Sequence, residues 1–208
     1  MAMHHLTLPP TRESVADIRV GDIVYLTGDI VVTGGLPAHK RIVEYLDAGK
    51  ELPIEMGGVF IHLPHMVEEK PDGSWTIHYV NPTTSTRFNN FLPRFIRDLD
   101  LHILGGKGGV GEEAVEAMRE NGCIYVSILG GGSPIMSECI KEVRQVEWRE
   151  FPAHFRLSRL RVENLGPLTV GVDAHGGSIY DALNEQARDR LPEILAQLDR
   201  RRAEAAGA

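Results

Sequence analysis

The order of apolar segments along the chain is the feature that most constrains its fold. A β-rich first half is followed, after about residue 80, by short apolar runs that alternate with stretches of helical spacing. Glycine and proline mark most of the boundaries between them. This alternation predicts one mixed α/β domain, and 208 residues are enough to bury a large core.

Hydrophobic periodicity and turn residues give the expected elements. The predicted strands are residues 22–33 with a bulge or bend at Gly28, 58–63, 75–80, 101–104, 123–129, and two strands within 155–173 around Gly166-Pro167. The predicted helices are residues 37–48, a helix that follows the segment 82–87 and reaches about residue 98, 112–120, 134–143, and a tail from residue 178 in which Pro192 begins a second segment. Residues 105–111 and 130–132 are predicted to be glycine-rich connections.

Two spacing patterns orient the predicted helices. His39 falls on the apolar face of the first helix. The apolar face of the tail carries Leu183, Ala187 and Leu191. We expect this face to cover the sheet of its own domain, and docking on a partner or on a second copy is the alternative.

Charge, hydropathy and cysteine content exclude several classes of protein. Lys plus Arg is 22 and Asp plus Glu is 29, so the formal net charge is −7, whereas a nucleic-acid partner usually requires a basic face. No apolar run approaches the ~20 residues of a membrane span, and residues 1–10 lack a secretion-signal pattern, so we expect a cytoplasmic protein. Two cysteines, Cys123 and Cys139, exclude a disulfide framework and any four-thiolate metal or iron–sulfur site made by this chain alone.

The glycine-rich segment 106–111 matches the G-x-G-x-x-G pattern of dinucleotide-binding loops. The next predicted strand ends in Leu129 and three glycines, without the acidic residue that such a site uses. A phosphate-binding loop is also disfavoured, because Glu112 and Glu113 stand where lysine and serine or threonine are needed. The loop retains Lys107, a cation close to a predicted helix N-terminus and suited to hold an anion.

The segment 82–87 is dense in hydroxyl groups. Thr83, Thr84 and Ser85 stand at a predicted helix start, where side-chain oxygens cap the helix and free amides attract carboxylates. Arg87 can bind a carboxylate through two parallel hydrogen bonds. Alone, the segment fits a helix cap with a surface arginine equally well, but together with Lys107 it predicts a carboxylate-binding pocket.

The histidines are less informative about function. His62 and His65 are three residues apart, which on a strand does not give a reliable zinc chelate, so we expect no metal site in this chain. His39 is either a satisfied core histidine or a member of the pocket.

Several motifs, in the same order along the chain, resemble those of the β subunit of iron–sulfur L(+)-tartrate dehydratase and of the C-terminal domain of class I fumarase. The most specific are Pro82-Thr83-Thr84-Ser85-x-Arg87 and Gly106-Lys107-Gly108-Gly109-x-Gly111. The other matches are Ile18-Arg19-Val20-Gly21-Asp22, Tyr25-Leu26-Thr27-Gly28, His39-Lys40-Arg41, Gly166-Pro167-Leu168 and Asp173-x-His175-Gly176. The resemblance covers roughly residues 15 to 180.

The resemblance implies an α/β fold of the swivelling β/β/α type for residues 1–180, followed by a helical extension at residues 181–208. It implies an α-type partner subunit whose cysteines ligate a [4Fe-4S] cluster, and a heterotetramer is one assembly that it allows. Through the resemblance, Thr83 and Lys107 are the catalytic candidates, and the substrate-binding candidates are Thr84, Ser85, Arg87 and His39. Thr83 resembles the residue that takes a proton from the carbon next to a carboxylate, which requires that Lys107 or backbone dipoles favour its alkoxide.

The chain departs from the family pattern at three places. Asn81 and Phe88 stand where the family has glycine and methionine around the segment 82–87, and Leu63-Pro64, followed by His65, stands where the family has Gly-Pro. The third departure is at a functional position. Where the family has Arg-Asp-x-x-His, this sequence has Gly35 and Leu36 ahead of Pro37-Ala38-His39, and the resemblance assigns the lost arginine to a substrate carboxylate. Three explanations stay open. The substrate has one fewer carboxylate and contacts Leu36 and Phe88, or His65 or a partner residue replaces the arginine, or the protein is a non-catalytic paralogue.

The leading hypothesis is the β subunit of a two-chain hydro-lyase that adds or removes water next to a carboxylate. Its substrate is then a small hydroxycarboxylate or unsaturated carboxylate. The alternative is a non-catalytic regulatory module that binds a carboxylate at Thr83, Arg87 and Lys107. A nucleotide-binding protein that uses residues 105–111 is a third hypothesis.

Overall fold

The computed structural model describes residues 1–131 and 133–206. The strands within these ranges are β1 (Met3–Thr7), β2 (Ile23–Thr33), β3 (Val59–His62), β4 (His65–Glu69), β5 (Trp75–Val80), β6 (Ile103–Gly106), β7 (Ile124–Ser127), β8 (Ile140–Glu147) and β9 (Leu157–Val172). The helices are α1 (Arg12–Ala16), α2 (Leu36–Asp47), α3 (Leu92–Asp98), α4 (Glu112–Asn121), α5 (Ser133–Glu138) and α6 (Ile179–Ala206). Two short 3₁₀ helices span Ser85–Phe88 and Ala153–Phe155.

Seven of the strands form one sheet in the order β1-β2-β3-β6-β7-β9-β8. β1, β2, β3, β6 and β7 run parallel to one another. β9 is antiparallel to β2, β7 and β8. Because β9 pairs with both β2 and β7, the sheet closes into a small barrel-like arrangement, while β4 and β5 form a separate antiparallel pair. The predicted mixed α/β class is confirmed.

The closed sheet separates two hydrophobic cores. Side chains of a strand alternate between its two faces, and in β3 this places Val59 and Ile61 in one core and Phe60 in the other. The first core consists mainly of strand residues from around the closed sheet. The second lies where the apolar faces of α2, α3 and α4 meet the sheet, and it includes Ile42 and Phe95. α2, α3 and α4 therefore cover one face of the sheet, whereas Val15 of α1 and Met136 of α5 belong to the first core.

Two predicted elements differ from the structure for reasons visible in the strand pairing. The helix predicted at residues 134–143 is present only as α5, which ends at Glu138, and residues 140–147 form β8, in which Ile140, Val143 and Val146 recur every three residues. Two register shifts against β9 insert an extra residue each time, so apolar side chains three apart face the same side. The two strands predicted around Gly166-Pro167 are one 16-residue strand, β9, which absorbs the dipeptide at a register shift against β2.

The predicted tail helix is present, but its surroundings differ from the expectation. α6 runs through Pro192 without a second start. Leu183 and Leu191 are 59% and 50% exposed, so the apolar face does not cover the sheet of its own domain. Among the described residues, no helix combines the length and apolar content that a membrane crossing needs. Of the turn predicted at 130–132, Gly132 lies outside the described residues.

Candidate functional site

Four neighbouring parallel strands end at the same edge of the sheet. Thr33 of β2 is in register with His62 of β3 at this edge. Next to them, Gly106 of β6 is in register with Ser127 of β7. In α/β folds, ligands bind in the crevice beyond the carboxyl ends of parallel strands. The two segments that the sequence singled out, 82–87 and 106–111, both lie at this edge.

Backbone hydrogen bonds join these two segments directly. The amide of Thr83 donates to the carbonyl oxygen of His62 at 3.0 Å. The amide of Lys107 donates to the carbonyl oxygen of Thr83 at 3.0 Å, and the amide of Ser85 donates to that of Lys107 at 2.9 Å. Residues 83–85 thus continue the sheet as a short parallel addition. The structure therefore places Thr83 and Lys107 side by side, although 23 residues separate them in sequence.

Among the described residues, the polar groups left open here are two threonine hydroxyls and two cations. Thr83 and Thr84 are partly exposed, and neither hydroxyl makes a hydrogen bond with another described residue. Lys107 is partly buried and Arg87 is exposed. Across the described part of the chain, neither has a carboxylate within ion-pair distance, whereas Arg94, for example, is paired with Asp47. Lysine and arginine side chains without an internal ion pair are free to bind a carboxylate through charge-assisted hydrogen bonds.

Ser85 occupies a different position from its neighbours in the motif. It is fully buried, and its hydroxyl lies where a side chain of Gly106 would begin, so that a Cβ at position 106 would overlap Ser85 Oγ. Its Oγ lies 2.8 Å from Nδ1 of His62 and accepts a hydrogen bond from the Tyr125 hydroxyl at 2.9 Å. Ser85 contributes no group to the surface of the site in this structure.

His39 is also buried, as its position on the apolar face of α2 predicts. Its Nδ1 donates to the carbonyl oxygen of Gly35 at 2.8 Å, and its Nε2 lies 3.1 Å from Nε2 of His62. Its ring stacks on Phe88 with centroids 3.9 Å apart. Burial lowers the pKa of His39 to about 4 and that of His62 well below its usual value, so both rings are neutral near pH 7. His39 therefore presents neither charge nor an open nitrogen to a ligand.

The position of the lost arginine is filled by an aromatic ring. A Cβ at Gly35 would lie 2.6 Å from Cβ of Phe155 and closer still to its ring. Pro64 packs on Gly34 in the same way. Sequence reasoning missed Phe155, because it comes from a 3₁₀ helix 120 residues further along the chain, which no local motif connects to Gly35.

His65, considered as a replacement for the lost arginine, and Phe88, considered as a substrate contact, are not available for these roles. His65 is fully buried, with Nε2 2.7 Å from Ser158 Oγ and Nδ1 facing the Leu63 carbonyl oxygen. Burial lowers its pKa to about 4, so it brings no positive charge that could replace an arginine. Phe88 is only 3% exposed, whereas Leu36 is 44% exposed. Of the apolar contacts expected, Leu36 alone stays open to a ligand.

The chain's own residues do not fit an iron–sulfur cluster. Such clusters are held by several thiolates, and the chain has two cysteines. Cys123 is fully buried, which raises the pKa of its thiol, and Cys139 has its sulfur within 3.6 Å of the carbonyl oxygens of Ile135 and Asn164. The described residues contain no group of three or more His, Cys, Asp or Glu side chains placed to hold a metal ion. A cluster, if the protein uses one, must therefore be ligated by another chain.

Comparison with known proteins identifies the family. A family model described as Fumarase C-terminus matches residues 2–183, which is most of the chain. The chain belongs to this family. The match includes every candidate site residue and ends just after α6 begins.

Relatives within the family support a common origin along nearly the whole chain. The chain is 31% identical over 193 residues to the L(+)-tartrate dehydratase subunit beta of Escherichia coli strain K12, which covers 93% of this chain and 94% of that one. It is 32% identical over 186 residues to a Methanocaldococcus jannaschii protein whose name assigns it to the same subunit type, covering 89% and 95%. A Geobacillus stearothermophilus protein whose name assigns it to class I fumarate hydratases is 27% identical over 190 residues, and the chain spans only 36% of that longer protein.

Proposed function

We propose that this chain is the β subunit of a two-chain hydro-lyase that adds or removes water next to a carboxylate. The observation that carries the proposal is the pair of backbone-joined segments that hold Thr83, with its free hydroxyl, beside Lys107. The names of the relatives, tartrate dehydratase β subunits and a class I fumarate hydratase, support a hydro-lyase. As part of the proposal, residues 1–180 are a swivelling β/β/α domain and residues 181–208 its helical extension.

Each open group at the edge takes one role in the proposal. Arg87 and Lys107 bind the substrate carboxylate through charge-assisted hydrogen bonds. Thr83 accepts the proton from the carbon next to that carboxylate. A nearby ammonium group in a partly desolvated site favours the alkoxide over the neutral hydroxyl, which is the condition for threonine to act as a base. Thr84 pairs with the backbone of Lys107 and so holds the loop that binds the carboxylate. Ser85 and His39 lie buried beneath the site and support it from there.

The remaining component of the proposed enzyme lies outside this chain. Subunits named beta imply an alpha-type partner. We assign to that partner the cysteines of a [4Fe-4S] cluster, which in such enzymes supplies a Lewis acid for the substrate hydroxyl. The heterotetramer and the cytoplasmic location stay predictions from the sequence.

We further propose that the substrate lacks one of the carboxylates that a dicarboxylate would present. Phe155 and Pro64 fill the places beside Gly35 and Gly34, and Leu36 is exposed next to them. A carboxylate placed against these apolar side chains would lose hydration without gaining a charge partner. Thr83 removes a proton from a carbon that is bonded to a carboxylate, so this carboxylate is retained. The apolar group therefore replaces the carboxylate on the other carbon, the one that bears the hydroxyl.

The first experiment is anaerobic co-expression with a candidate alpha-type subunit, followed by co-purification and by iron and sulfide analysis. We expect a stable complex with about four irons per heterodimer, the content of one cubane cluster. Turnover is then compared for malate and 3-hydroxybutyrate, which differ in a carboxylate and a methyl group at the relevant carbon. The proposal predicts a higher kcat/KM for 3-hydroxybutyrate.

A double variant tests the structural basis of this preference. Gly35→Arg combined with Phe155→Gly restores the cation and removes the whole side chain that fills its place, and it should shift the preference toward malate. If this chain instead purifies alone and iron-free, and no partner binds it, the hydro-lyase proposal fails. An anion-binding module that uses Arg87 and Lys107 would then be the better account.

A further inference from the structure

Four buried polar side chains form a continuous hydrogen-bonded row beneath the candidate site. His39 contacts His62, His62 contacts Ser85, and Ser85 contacts Tyr125, at distances between 2.8 and 3.1 Å. All four are fully buried. Buried polar groups in such a row must each find a donor or acceptor of the right kind. The hydrogen bonds along the row must therefore be donated in one consistent direction.

One end of the row fixes that direction. The carbonyl oxygen of Gly35 can only accept, so Nδ1 of His39 carries a hydrogen, and Nε2 of the neutral ring is an acceptor. Nε2 of His62 must then donate, which leaves its Nδ1 as the acceptor for the Ser85 hydroxyl. The oxygen of Ser85 in turn accepts from Tyr125. The two histidines consequently hold opposite tautomers.

We propose that His62 is a positioning residue that acts through Ser85 to hold Thr83 beside Lys107. The carbonyl oxygen of His62 accepts from the Thr83 amide, and its ring accepts from the Ser85 hydroxyl. One residue at the end of β3 thus holds both ends of the three-residue segment whose other side is bonded to Lys107. For its effect on activity this inference rests on the proposed function. The tautomers can be measured in the isolated chain.

Two substitutions of His62 separate its two ring contacts. Asparagine places an acceptor oxygen near the position of Nδ1 and so keeps the contact with Ser85, whereas glutamine places a donor near the position of Nε2 and keeps only the contact with His39. We expect His62→Asn to retain kcat within about threefold. His62→Gln should lower kcat at least about tenfold with little change in KM, since misplacing a reacting group by an ångström costs up to about 100-fold.

A second pair of variants tests whether the effect passes through Ser85. Ser85→Ala should lower kcat about as much as His62→Gln, and the double variant should fall no further, because both changes break the same contact. His65→Gln is the matched control. His65 is an equally buried histidine that also bonds a serine hydroxyl, but it lies outside the row. This control should lower Tm as His62→Gln does and leave kcat within about twofold.

The outcomes distinguish this inference from the proposed function. Nitrogen NMR of the histidine rings in the isolated chain should show His39 protonated at Nδ1 and His62 at Nε2. The same tautomer in both rings, or a charged ring at pH 7, overturns the inference whatever the activity. Equal kcat for His62→Asn and His62→Gln, in a complex whose wild type is active, also overturns it. An inactive wild-type complex counts against the proposed function instead.

Discussion

The close contact between Gly35 and Phe155 gives a stability prediction that needs no partner subunit. The backbone at Gly35 is extended, with φ −120° and ψ 138°, so alanine there carries no backbone strain. Its Cβ would lie 2.6 Å from Phe155 Cβ, against about 3.5–4.0 Å for an ordinary contact. Overpacking of this kind costs about 1–3 kcal/mol. Phe155→Gly, which removes Cβ as well as the ring, should cost about 2–3 kcal/mol: roughly half of a core Phe→Ala substitution, because the ring is only partly buried, and up to about 1 kcal/mol for the added backbone freedom of glycine.

The double variant tests whether the two residues occupy the same space. With the whole Phe155 side chain removed, Cβ included, the alanine methyl group fits, so Gly35→Ala with Phe155→Gly should be about as stable as Phe155→Gly alone. Urea unfolding followed by circular dichroism measures the free energies of all four proteins. Gly131→Ala is the control, since no atom lies within 4 Å of a Cβ there, and it should change stability by less than about 0.5 kcal/mol. Additive effects of the two substitutions, within about 0.5 kcal/mol, would refute the reasoning.

Three further predictions concern the site and its buried groups. Replacing Lys107 or Arg87 by alanine should lower kcat/KM of the reconstituted complex roughly 10–100-fold without changing Tm, because each loses a charge-assisted hydrogen bond of about 1.5–3 kcal/mol; near-normal activity in both variants would remove the site assignment. Gly106→Ala should lower Tm by several degrees, since its Cβ overlaps the Ser85 hydroxyl, and an unchanged Tm would contradict the packing. Burial lowers the pKa of His39 and His65 from 6.5 to about 4, so the unfolded chain takes up protons first as the pH falls. The free energy of unfolding should therefore fall between about pH 6.5 and 4, by up to roughly 3 kcal/mol per histidine, and urea unfolding that shows a flat profile would contradict the burial.

Local sequence patterns predicted the elements that obey a regular period. The β-rich apolar run of residues 22–33 and the helical spacing of residues 37–48 correspond to β2 and α2 within one or two residues. β8 was missed because its bulges convert a period of two into a period of three. β1 was missed because it is short and mostly exposed, which leaves little apolar signal.

Local sequence motifs likewise located some features of the site and not others. The motifs at Thr83 and Lys107 could be located in the sequence because each is a compact run of unusual residues. Their direct backbone pairing could not, because it depends on strands that end in register. Phe155 and Tyr125 reach the site from distant parts of the chain, and ordinary aromatic residues carry no mark of such contacts.

The long strand β9 has a consequence for how the chain folds. Its residues pair with β2 across large separations in sequence, as between Ile23 and Thr169, which are 146 residues apart. Contacts this distant slow folding, because the ends of a long loop must meet before any pairing stabilises them. During synthesis, β2 and β7 each emerge with one edge unpaired, and these edges stay open until residues 157–172 leave the ribosome. The nascent chain therefore passes through a stage with two exposed strand edges that invite aggregation, and any truncation before residue 157 would make that stage permanent.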